Sequence, residues 1–79
     1  MTFDKWRETR SRVNDNAIIE DAFGYIPEGS YSALVYDPGV IAILPDGRYC
    51  THIYRSEYTG TLDEVERRLW DDYAKHEVG

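Results

Sequence analysis

Between Ser30 and Arg55 the apolar and polar positions fall into three runs, SYSALVY, VIAIL and RYCTHIYR, separated by Asp37-Pro38-Gly39 and Pro45-Asp46-Gly47. Short runs rich in β-branched and aromatic residues, bounded by proline–glycine turns, predict three antiparallel strands. Pro45 presets φ for a turn and Gly47 accepts a positive φ without steric cost, so the second hairpin is well specified. If Leu44 pairs with Arg48, directly opposite residues share a face. Ile41, Ile43, Tyr49, Thr51 and Ile53 then point one way, and Val40, Ala42, Leu44, Cys50, His52 and Tyr54 the other. The first strand has two open registers. Pairing Tyr36 with Val40 turns Tyr31, Ala33 and Val35 inward, whereas pairing Asp37 with Val40 turns Leu34 and Tyr36 inward, because a one-residue slip exchanges the faces.

Helical periodicity brackets these strands. Phe3, Trp6, Arg10 and Val13 recur at helical spacing and predict a helix over 3–13, with Thr2 as its cap and Asp4 in its first turn. Asn14-Asp15-Asn16 breaks it. A short helical segment over 17–23 stops at Gly24. Thr61-Leu62-Asp63-Glu64 is a capping box, and Leu62, Val65, Leu69, Tyr73 and His76 form one stripe of a helix over 62–76. Asp63, Glu66, Arg67, Asp71 and Lys75 fall on its solvated side, while Trp70 lies off the stripe and either packs beneath the N-terminal helix or marks a second sticky patch. The expected fold is α+β: a three-stranded antiparallel sheet flanked by an N-terminal and a C-terminal helix (α-βββ-α), with an extra short helix at 17–23. Two helices in so short a chain leave the second sheet face incompletely covered.

A chain of 79 residues has room for a single domain over 1–79. At this length it buries roughly 60% of its unfolded surface. Seven Tyr, two Trp and two Phe must therefore supply much of the core. Cys50 stands alone and cannot close an intramolecular disulfide, which suits a reducing, cytoplasmic setting. No run approaches the ~20 apolar residues of a membrane span. The net charge of −6, fifteen acids against nine bases, argues against direct binding of nucleic acid or an anionic membrane, since phosphates demand a basic footprint. Two readings of the acidity stay open: solubility, or a face matched to a basic groove on a partner protein. Arg7, Arg10, Arg12, Arg67 and Arg68 interrupt the acids, which disfavours a dense DNA mimic.

Candidate chemistry is sparse. Cys50-x-His52, with His76 elsewhere, lacks the four closely paired ligands of a zinc site, and no metal or cofactor is expected. Glu20/Asp21 and Asp71/Asp72 are adjacent in sequence, so they splay on a helix instead of converging for acid–base work. No GxGxxG, P-loop or HExxH pattern occurs. The chain is read as not an enzyme. Tyrosine and arginine are the side chains that dominate interface hot spots, and Tyr36, Tyr54 and Tyr58 are the exposed candidates, with Tyr49 and Tyr73 assigned to the core. Glu57, Asp63, Glu64, Glu66, Asp71 and Asp72 give the C-terminal third an acidic excess. The expected partner-binding set is accordingly Tyr36, Tyr54, Glu57, Tyr58, Asp63 and Glu66.

The stretch from TFDKWRETR through YCTHIYRSEYTGTLDEVERRLWDDY, in an acidic and tyrosine-rich chain of this size, resembles the small anti-CRISPR proteins of phages and prophages, in particular the type I-C inhibitor group. The resemblance implies an inhibitor that binds a Cas protein of a type I surveillance complex and prevents target DNA binding. It would act in the cytoplasm of the host bacterium during infection or lysogeny, as a monomer in preference to a homodimer. The alternative is a homodimeric structural or regulatory module that pairs through the open sheet face around Val40, Cys50 and Tyr54.

Overall fold

In the computed structural model, which describes residues 1–78, helices cover both faces of an antiparallel sheet. The order is α1 (Phe3–Arg7), β1 (Ser11–Asn14), α2 (Asn16–Phe23), a 3₁₀ turn (Pro27–Gly29), β2 (Ser32–Tyr36), β3 (Gly39–Ile43), β4 (Tyr49–Ile53), β5 (Ser56–Gly60), α3 (Leu62–Leu69), a π turn (Trp70–Ala74) and α4 (Lys75–Val78). The strands lie in sequence order β1-β2-β3-β4-β5. The α+β class is as expected, but the sheet has five strands where the sequence pattern predicts three.

Both additional strands are edges. The helix expected over 3–13 ends at Arg7. There the Thr9 amide and hydroxyl both donate to the Trp6 carbonyl, at 3.0 and 2.6 Å, and tighten the last turn. Ser11–Asn14 then pairs along β2, from Ser11↔Val35 to Asn14↔Ser32. At the other edge, Ser56–Gly60 pairs along all of β4 across the two-residue turn Tyr54-Arg55. Neither segment has the apolar alternation of a half-buried strand. Each is held by backbone hydrogen bonds to a neighbour, which local pattern does not report.

The predicted second hairpin is present: the Leu44 amide donates to the Arg48 carbonyl at 2.8 Å, and Ile43 faces Tyr49. In the first hairpin neither expected register occurs. Tyr36 faces Gly39 and Val35 faces Val40, across a tight turn with a cis Asp37–Pro38 bond. Leu34 and Tyr36 nevertheless point inward with Ile41, since a shift of two residues preserves the face.

Over that face pack α1, α3 and the π turn. Trp6 stacks on Tyr36 at 4.4 Å and meets Trp70 at 5.6 Å, so Trp70 does lie beneath the N-terminal helix. Gly39 is required here: its φ is +121°, and a Cβ would stand 2.8 Å from Leu69 Cδ2. The capping box at Thr61 and Glu64 forms as expected. Beyond Leu69 the π turn inserts one residue into the helical repeat, so Trp70 and Ala74 are buried where a regular helix would continue the Leu69–Tyr73 stripe.

The opposite face was expected to remain partly open. Instead α2 closes it, with Ile19 and Phe23 packed on Ala33, Ala42, Leu44 and Cys50. Asp15 caps α2 by accepting from the Ala17 amide, and Gly24 ends it at φ +84°. Cys50 is fully buried, so the surface on which the homodimeric alternative rested is not available around it.

Candidate interaction site

The expected site residues separate into a buried pair and an exposed group. Glu66, assigned to the solvated side of its helix, is 0% exposed. Its Oε2 accepts from the Tyr36 hydroxyl at 2.5 Å and from Arg10 Nη1 at 3.0 Å. Arg7 Nε stands 3.3 Å from Oε1, an ionic contact off the line of a hydrogen bond. Tyr36, expected to be exposed, is 4% exposed. Burial, then the bond to Glu66, raises its phenol well above the ordinary tyrosine range. Ending α1 at Arg7 and starting β1 at Ser11 carries Arg7 and Arg10 over α3, where they neutralise a carboxylate that helical periodicity alone turns to solvent. Glu66 and Tyr36 thus hold the fold together and present no surface to a partner.

Glu57, Asp63, Tyr54 and Tyr58 stay nearer the surface. Asp63 is exposed in the first turn of α3. Tyr58 is half-buried, with the Arg68 guanidinium 4.5 Å above its ring. Glu57 accepts a hydrogen bond from the Tyr25 hydroxyl. Tyr54 is 71% exposed and holds φ at +55°, an uncommon backbone state for a bulky side chain.

Tyr54 stands at a notch in the end of the sheet. The β3–β4 ladder comprises Ala42↔Cys50 and Ile43↔Tyr49, and the strands then part. The Thr51 hydroxyl donates to the Val40 carbonyl at 2.8 Å across the opening. A cavity of about 320 Å³ results, lined by Ala22 and Phe23 of α2, Gly39 and Val40 of β3, His52, Ile53 and Tyr54 after the ladder, and Leu69 and Tyr73 from the opposite layer. The sequence carries no signal for this notch, because strand separation leaves no mark in the hydrophobic alternation of VIAIL and YCTHI.

The charges are also placed differently from expectation. The acids of the C-terminal third are largely engaged: Asp71 with Lys75 at 3.8 Å, Asp72 with Arg68 at 3.4 Å, Glu64 in the cap and Glu66 in the core. On α2, Glu20 and Asp21 are adjacent, exposed and form no ion pair among the described residues; Glu57 and Asp63 are likewise exposed and unpaired in charge. A signal for the α2 pair was present: Asp15, Glu20, Asp21, Glu28, Asp37 and Asp46 fall in a stretch, 13–47, without a single lysine or arginine. Of these, Glu28 and Asp46 share Arg48, at 3.0 and 2.6 Å. Hydrogen bonds from the Arg48 backbone and side chain hold Asp46 below the usual carboxylate range.

Cys50 and His52 do not form a reactive pair. Burial pushes the Cys50 thiol up to about 11, leaving it protonated and poorly nucleophilic at neutral pH. His52 packs between Phe23 and Tyr25, with ring centroids at 6.0 and 5.7 Å. His76 Nε2 lies 3.1 Å from the Asp71 carbonyl. Among the described residues no three His, Cys, Asp or Glu gather to hold a metal, and no helix is long and apolar enough to cross a membrane.

These protonated groups set an alkaline limit on the fold. Tyr25 is raised to about 12 by burial and its bond to Glu57, Cys50 to about 11 by burial, and Tyr36 rises as well. The unfolded chain releases these protons first, so it binds fewer protons than the native state and stability falls with rising pH. Urea midpoints are expected to be insensitive to these groups below about pH 8.5, the ordinary thiol value. They should then decline steadily as pH rises towards about 12. Midpoints unchanged between neutral pH and about pH 10.5, where unfolded thiols and most phenols have ionised, would contradict the burial argument.

No protein-family model, curated protein or solved structure matches the chain.

Proposed function

We propose that this protein is a non-enzymatic, protein-binding inhibitor of the anti-CRISPR kind. Its α2 layer and Tyr54 engage a basic, DNA-binding surface on a Cas protein of a type I surveillance complex, with type I-C the first system to test, in the cytoplasm of the host bacterium. Target DNA is thereby kept from the complex. The observation that carries this reading is the pair of exposed, unpaired acids Glu20 and Asp21 on α2, the helix whose Ala22 and Phe23 line the notch beside the exposed Tyr54. Such a face accelerates encounter with a basic partner and competes for the sites that phosphates would occupy. An aromatic anchor slows dissociation once the two surfaces meet. The fold's helices on both faces supply the rigid support that such a surface needs.

The test is a gel shift of target duplex by the purified type I-C complex, with and without the protein, at low and physiological salt. The protein is expected to abolish the shift, with greater potency at low salt because exposed charges are screened beyond about 8–10 Å at physiological ionic strength. The double substitution Glu20→Lys and Asp21→Lys should raise the inhibitory concentration about tenfold or more, whereas Asp63→Lys should have a smaller effect. An unaltered shift would sink the reading for this system. Equal sensitivity to the α2 and Asp63 substitutions would remove α2 as the contacting face.

A further inference from the structure

The notch has the lining of a receptor for a cation. Its walls carry four rings: Tyr54 and Tyr73 stand nearly perpendicular, at 77° with centroids 6.2 Å apart, and Phe23 and His52 lie 6.0 Å apart. Aromatic faces carry partial negative charge and attract ammonium and guanidinium groups, most strongly where water is displaced. The floor is polar. The Leu44–Arg48 bond sets the alternation of the ladder, which turns the backbone groups of Val40 and His52 towards each other across the opening. The Val40 carbonyl uses one lone pair on Thr51 and has a second to offer. A purely apolar occupant would desolvate these groups without replacing their hydrogen bonds.

The surrounding charges agree. Among the described residues no lysine or arginine lines the notch: Arg55, next to Tyr54, is not part of it, and Arg68 is held by Asp72 and Tyr58. The positive φ of Tyr54 points the same way. A two-residue turn would take glycine or asparagine at that conformation without strain, yet a bulky ring is held there at the mouth of the cavity.

We infer that the notch binds a single cationic side chain, an arginine or lysine of the partner surface, against the rings of Tyr54 and Tyr73 that line it. The inference deepens the proposed function and takes from it the basic character of the partner. At about 320 Å³ the cavity is at the small end of ligand sites and suits one long side chain.

The experiment is an NMR titration of the ¹⁵N-labelled chain with N-acetyl-arginine-amide and with its neutral counterpart, N-acetyl-norleucine-amide. The arginine amide should shift the amides of Ala22, Val40, His52, Tyr54 and Tyr73 saturably, and bind about tenfold more tightly than norleucine. Tyr54→Leu should abolish that preference and Tyr54→Phe retain it, because the ring face and not the hydroxyl makes the contact. Equal binding of the two amides would overturn the inference, as would shifts confined to Glu20 and Asp21. The titration contains no Cas protein, so the two readings fail separately. Cation binding with an unimpeded gel shift removes the inhibitor and keeps the site, and the reverse removes the site alone.

Discussion

Replacing Glu66 by alanine is expected to destabilise the protein by about 3 kcal/mol, near the lower end for breaking a buried ion pair. The carboxylate is fully buried and serves Tyr36, Arg10 and Arg7 together. Its loss leaves the Tyr36 hydroxyl without an acceptor in the core, under a tryptophan ring at 4.4 Å. The two arginine side chains are 40% and 37% exposed, so they regain water and keep the cost from rising further. A chain of this length has a total stability of only about 4–12 kcal/mol. Urea denaturation followed by circular dichroism should therefore show a much lower midpoint for Glu66→Ala. Pairing the change with Tyr36→Phe should recover part of the loss, because no buried hydroxyl then remains unpaired. A wild-type midpoint for Glu66→Ala would refute the structural role. The same result bears on interface mapping: a Glu66→Lys variant that fails to bind a partner reports unfolding and says nothing about acidic steering.

Replacing Tyr54 by glycine is expected to act in opposite directions on stability and function. Glycine occupies a positive φ without the steric penalty of a Cβ, which relieves strain of about 1–3 kcal/mol. Greater freedom of the unfolded chain and the lost Tyr73 contact offset part of this, leaving a net gain of about 0.5–1 kcal/mol. That corresponds to a rise in Tm of about 2–8 °C for a domain of this size. Inhibition of DNA binding should weaken about thirtyfold, the loss of one hot-spot side chain worth ~2 kcal/mol. Calorimetry and the gel-shift titration on the same preparation read both quantities. Unchanged inhibition would exclude Tyr54 as an anchor, and a lowered Tm would show that its ring contributes more to the fold than its backbone strain costs.

Much of the scaffold is legible in the residues themselves. The Leu44–Arg48 pairing, the two face assignments of β3 and β4, the capping box at Thr61 and the glycine stop of α2 all follow from short-range chemistry. Of the six expected partner-binding residues, Tyr54, Glu57, Tyr58 and Asp63 do reach the exposed or half-buried surface, and Glu66 and Tyr36 do not. The misassignment has one cause. A helical wheel places Glu66 relative to its own helix, but its exposure depends on Arg10, 56 residues earlier. The edge strands escape local pattern for a related reason, since Ser11–Asn14 is a strand because β2 supplies its hydrogen-bond partners.

What the sequence by itself determined is therefore the local framework: turns, caps, the central hairpin, the alternation of faces and an overall acidity of −6. Periodicity and backbone preference act over a few residues and need no distant partner. Only the tertiary structure decided which acids are neutralised, which tyrosine is buried and where the sheet opens into a notch. Burial, ion pairing and strand separation depend on groups brought together from remote parts of the chain.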